Sequence, residues 1–219
     1  MPFDTKDPHK DKPVIYKGAA VENAKAAMIL IHGRGADAES ILTLSEVFAE
    51  EDFLYAAPQA NNNTWYPFSF LAPVDDNEPG ITSGLSKINS TLKTLNEKGI
   101  SSERIILLGF SQGACLVLEY CSRFPQKFGG VVGLSGGLIG PDGIIRIKPG
   151  ASLNGSSIFL GCSDIDPHIP IERVHFTEKY LEEMGGNVTK KIYPGLGHTI
   201  NDDEIKIIKV FMNDILSGV

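Results

Sequence analysis

Ser111 sits in the pentapeptide Gly109-Phe110-Ser111-Gln112-Gly113, a G-x-S-x-G pattern that follows the apolar run 104–110 and opens a helical one. A sharp strand-to-helix turn of this kind lifts a serine Oγ to a helix N-terminus, where the dipole favours an anion formed by attack on a carbonyl carbon. Side chains at the flanking positions would collide with neighbouring backbone, so glycine there has a steric reason. A serine hydroxyl is a poor nucleophile at neutral pH and needs a base. Of the five histidines, His9 falls in a polar tail and His175 within a helical pattern, so both read as surface or packing residues. His32 follows an apolar run, but its glycine neighbours suggest a structural role in a tight turn. His198 is the best base: it lies in Pro194-Gly195-Leu196-Gly197-His198-Thr199, a loop between the last strand and the last helix.

A third group must orient the imidazole and stabilise its protonated form. Asp164 and Asp166 both lie on Ser163-Asp164-Ile165-Asp166-Pro167-His168, beyond the apolar run 158–161, and the residues alone leave the choice between them open. A D-x-D-x-H metal site lacks further ligands at suitable spacing, and Asp202 and Asp203 read as first-turn charges of a helix. No metal or cofactor is expected. The oxyanion of a tetrahedral intermediate needs two backbone donors. These are assigned to the N–H of Gln112 and of Arg34, the latter in His32-Gly33-Arg34-Gly35.

These residues need a frame that gathers them at one edge. Short continuous apolar runs at 26–31, 53–57, 104–110, 130–134 and 158–161 read as strands buried on both faces, with 188–193 a weaker, alternating one and 14–18 an edge. Helical stripes lie between them. Ile41, Leu44, Val47 and Phe48 form one behind Asp37 as N-cap. Leu85, Ile88, Leu92 and Leu95 form a second, and Ile171, Val174, Leu181 and Met184 a third. The last stripe, Ile205 to Ile215, opens on Asn201 with Glu204 as a capping box. Strands alternating with helices imply an α/β domain whose mostly parallel sheet is covered on both faces, with its site at the carboxyl ends of the strands. No linker divides the chain, so residues 1–219 read as a single domain, with 1–13 a flexible or extended tail. Two long irregular segments remain, 58–79 and 136–155. The first carries Trp65, Tyr66, Phe68 and Phe70, expected either to wall a substrate pocket or to anchor the loop.

A net charge of −7 over 219 residues argues against nucleic acid and anionic membranes as partners. No run approaches the length of a membrane span, so no stable membrane insertion is expected. Three cysteines make no disulfide framework and no zinc spacing. The start MPFDTKDPHKDKP has no apolar core of a signal peptide, so the expected location is cytoplasmic.

Taken in order, ILIHGRGADAES, AAPQA, Trp65-Tyr66, GFSQG, GLSGG, CSDIDPHIP and YPGLGH cover most of the chain. With them it resembles the phospholipase/carboxylesterase family of α/β-hydrolases, which includes acyl-protein thioesterases and small bacterial carboxylesterases. The resemblance implies Ser111 as nucleophile, His198 as base and Asp166 as acid, since the family's acid immediately precedes the proline of D-P-x-x-P. Arg34 stands where the eukaryotic thioesterases have an apolar residue, and the Trp65 loop departs from their W-[FY]-D pattern. Both departures point to a bacterial-type esterase acting on a small-molecule ester. The absence of a large cap domain favours short or medium acyl groups, with Trp65, Tyr66 and Phe68 as pocket walls. Thioester or lysophospholipid cleavage is the alternative within this chemistry, and a non-catalytic ligand-binding protein the alternative outside it. A homodimer is left open.

Overall fold

The computed structural model describes residues 7–218. Its centre is a seven-stranded sheet in the order β1-β3-β2-β4-β5-β6-β7. The strands are β1 (Val14–Gly18), β2 (Ala26–Ile31), β3 (Phe53–Pro58), β4 (Ile105–Phe110), β5 (Gly130–Leu134), β6 (Ser157–Ser163) and β7 (Asn187–Tyr193). All pairings are parallel except that of the edge strand β1 with β3.

The continuous apolar runs are strands because both faces are covered. In β2, Ala27, Ile29 and Ile31 enter one core and Ala26, Met28 and Leu30 the other. The first core is closed by α3 (Gly80–Glu97), α4 (Gln112–Arg123) and α5 (Ile171–Glu183). The second is closed by α1 (Ala38–Leu42), α2 (Leu44–Phe48) and α6 (Asp202–Ser217). The edge strand β7 alternates exposed with half-buried residues, which is why its sequence alternates.

Asp37 caps α1 and Asn201 caps α6, each in a reciprocal box with the residue three positions on. The single stripe expected over Ile41 to Phe48 is instead two short helices meeting at Thr43, and Val47 points to solvent. The tail reading of residues 1–13 needs a larger correction; its first six residues lie outside the described ones. Residues 7–12 form turns rather than an extended arm, and His9 is only 1% exposed. Its backbone N–H donates to Ser83 Oγ (3.0 Å), and its ring donates through Nε2 to Trp65 O (2.9 Å) and accepts the Asn61 N–H (3.0 Å).

Glu204 also carries a pH-dependent cost. Its carboxylate accepts the Asn201 N–H at 2.9 Å but is buried against Gly161, so burial, with Asp203 adding, raises its pKa to about 7. A carboxyl raised on folding is stabilising while protonated, and that advantage is lost as pH climbs from its unfolded value through 7. Glu204→Gln keeps an acceptor for the cap and removes the charge. It is expected to match the wild type near pH 4.5 and to exceed it by about 1–3 kcal/mol above pH 7. Urea unfolding across that range checks this; a gap independent of pH contradicts it.

Candidate active site

The strand register brings the chemistry to one edge. Ile31 pairs with Gly109, Phe110 with Leu134, Leu134 with Gly161, and Ser163 with Tyr193. The loops leaving β2, β4, β5, β6 and β7 therefore start side by side. Ser111 occupies the turn between β4 and α4 with φ 57° and ψ −120°, a conformation costly for a residue with a Cβ. The flanking glycines are sterically required: a Cβ on Gly113 would lie 2.1 Å from Ile31 O, and one on Gly109 2.3 Å from Gly113 O. Oγ is thereby held at the start of α4, open to a cleft.

His198 Nε2 lies 2.8 Å from Ser111 Oγ, and His198 Nδ1 lies 2.7 Å from Asp166 Oδ2. The Asp166 side chain is fully buried. Burial opposes its charge. Hydrogen bonds from His198, the His168 amide and Ser135 outweigh that and hold the carboxyl below its usual range. Its second oxygen accepts the His168 and Ile169 amides at 2.8 and 3.2 Å. Asp164 takes a different part: Oδ1 accepts the Gly195 N–H at 2.8 Å, and Ser163 Oγ the Gly197 N–H at 3.0 Å. Asp164 thus braces the loop that carries His198, while Asp166 meets the ring.

Arg34 and Gln112 both line the cleft beside Ser111. Neither backbone amide donates to another group among the described residues. Both side chains act on the loop 58–79. Gln112 accepts the Trp65 N–H (2.9 Å) and donates to Tyr66 O (2.8 Å). Arg34 donates to the carbonyls of Tyr66 (2.9 Å), Pro67 (2.7 Å) and Phe68 (2.6 Å). His32 is wholly buried; it donates through Nδ1 to Gly33 O (2.8 Å) and accepts the Ala60 N–H (3.2 Å). Burial lowers its pKa, as it does that of His9, so both remain neutral structural groups.

The cleft holds about 500 Å³, within the usual range for a small-molecule site. Tyr66 and Phe68 line it, as the sequence suggests, together with Phe70, Ile169, Cys115 and His168. Trp65 does not. Its indole is fully buried between the His9 and His32 rings, both 5.1 Å away, with Nε1 donating to His32 O at 2.9 Å. The loop needs an anchor beneath the pocket, and the largest ring supplies it. The later wall residues are visible only from tertiary packing, since Cys115 lies one helical turn beyond Ser111. Its thiol is pushed up to about 12 by burial and stays protonated, whereas Ser111 Oγ is the hydroxyl within hydrogen-bond distance of His198 Nε2.

Two substitutions separate wall from anchor. Phe68→Ala, at a ring 57% exposed, is expected to change the acyl-chain preference with little loss of stability. Each methylene gained or lost is worth ~1 kcal/mol, about fivefold in kcat/KM. Trp65→Ala is expected to cost about 3–5 kcal/mol in unfolding free energy. Ester-panel kinetics with urea titrations check both, and a chain-length profile unmoved in Phe68→Ala overturns the wall assignment.

Comparison with known proteins places this geometry in context. A sequence model of phospholipase/carboxylesterase proteins matches residues 11–216. Acyl-protein thioesterase 1 of Saccharomyces cerevisiae is 29% identical over 223 residues, spanning 91% of this chain and 97% of the yeast protein. A phospholipase/carboxylesterase crystal structure from Dyadobacter fermentans superposes with a TM-score of 0.87 at 39% identity, covering 94% of this chain and 97% of its own. The Bacillus cereus carboxylesterase shares the fold, with a TM-score of 0.74 at 18% identity over 94% of this chain and 95% of that one.

Proposed function

The chain belongs to the phospholipase/carboxylesterase family of α/β-hydrolases, and from that premise we propose that it cleaves short- to medium-chain carboxylic esters through an acyl-enzyme on Ser111. The observation that carries this reading is the continuous relay from Ser111 Oγ through His198 to the buried Asp166 carboxylate.

In this mechanism Ser111 Oγ attacks the ester carbonyl while His198 Nε2 takes its proton. Asp166 accepts the Nδ1–H, fixes the tautomer and offsets the imidazolium charge. The carbonyl oxygen, now an anion, accepts the amides of Arg34 and Gln112. His198 returns the proton to the departing alcohol. Water then attacks the acyl-serine with His198 as base, releasing the acid and restoring Ser111. The three cysteines are unpaired and buried, which suits a reducing compartment and supports a cytoplasmic setting.

A thioester is the second reading, favoured by the yeast relative that bears the name acyl-protein thioesterase. The test is labelling by a fluorophosphonate probe, followed by kinetics on p-nitrophenyl esters and acyl-thioesters of graded length. Labelling at Ser111 with turnover of short esters is the expected outcome. A chain that neither labels nor turns over either series is a ligand-binding protein instead.

A further inference from the structure

Among the described residues no carboxylate neutralises the charge of Arg34. Arg123, Arg146 and Arg173 each pair with an acid. Among the described residues Arg34 pairs with none, and its guanidinium spends three N–H groups on the carbonyls of residues 66–68. Carbonyl dipoles fix the fork in place, yet they do not cancel a unit charge. A guanidinium has five donors, so Nε–H and one N–H of a terminal nitrogen stay available. Arg34 is exposed and lines the cleft.

The rest of the cleft lining holds no acid, and the Asp166 carboxylate lies behind His198. The chain as a whole, by contrast, carries seven excess negative charges. His168, also exposed, stands edge-on to His198 with ring centroids 4.8 Å apart and adds a second polar edge. Phe68, Phe70 and Ile169 add apolar surface to the same lining. A neutral ester would fill the apolar part and leave an immobilised cation facing it. A rigid charge costs little side-chain entropy to use, which favours a fixed anionic partner.

We infer that the cleft selects short esters bearing a carboxylate, which the Arg34 guanidinium receives while the ester carbonyl sits at Ser111. The inference rests on the ester-hydrolase reading above and adds the charge of the substrate to it. It also gives the Arg34 side chain a part distinct from that of its backbone amide.

The test compares kcat/KM for near-isosteric charged and neutral esters, with products measured by chromatography. Monoethyl glutarate is set against ethyl pentanoate for a carboxylate on the acyl part. The ester 4-acetoxybutanoate is set against butyl acetate for one on the alcohol part. At least one anionic ester is expected to exceed its neutral partner by about tenfold at low salt, with the ratio shrinking in 0.5 M NaCl as the pair is screened. Arg34→Gln should bring that ratio close to one. Because the ratio is taken within each variant, a general loss from a loosened loop cancels. Turnover of the neutral esters without an anionic advantage, or an advantage that survives Arg34→Gln, sinks the inference alone. Failure to hydrolyse any of the four sinks the ester reading with it.

Discussion

Ser111→Ala is expected to lower kcat for short esters by about a million-fold, the scale seen when the nucleophile of a serine hydrolase is removed. Cys115 lines the same cleft, but burial holds its thiol protonated. The cleft, the free amides and His198 all survive the change, so a small residual rate from oxyanion stabilisation remains. The same substitution must also abolish fluorophosphonate labelling. Turnover within tenfold of the wild type, measured on protein free of contaminating esterase, would place the nucleophile elsewhere.

Asp166→Asn is expected to cost about four orders of magnitude in kcat. The reason is geometric. Oδ1 already accepts the amides of His168 and Ile169, so the asparagine oxygen takes that place and its NH₂ faces His198 Nδ1. An amide donor there forces the proton onto Nε2, the nitrogen that must accept from Ser111. Asp164→Asn changes far less, because the asparagine oxygen can still accept the Gly195 N–H. An effect below tenfold is expected for it. If the two variants exchange their effects, the imidazole is oriented by Asp164.

Much of this was legible in the chain because local rules and tertiary demands agree. The strand limits follow from apolar runs that end where the backbone must turn, and β2 and β5 begin and end where their sequences suggest. Gly109 and Gly113 announce a crowded turn, and Asn201 with Glu204 a helix start. What stayed hidden depends on partners distant in sequence. Trp65, Tyr66 and Phe68 look alike as a run, yet only packing against His9 and His32 tells the anchor from the walls. The Arg34 side chain reads as a solvated or ion-paired charge; its three carbonyl partners lie more than thirty residues away. His9 sits in a polar stretch that carries no amphipathic signal, so nothing local marks it as buried.

That buried His9 has a practical consequence for anyone trimming or fusing the protein. A cut just before β1 spares every strand and helix described above and looks harmless from the sequence. It would nonetheless remove the ring that accepts from Asn61 and donates to Trp65, and the carbonyl of Lys10 that receives Lys87. The floor beneath the pocket loop would lose one side of its sandwich, while every residue that lines the cleft stayed in the chain. Chain-length preference measured on such a product would report a pocket loop without that support, and so describe the truncation rather than the protein.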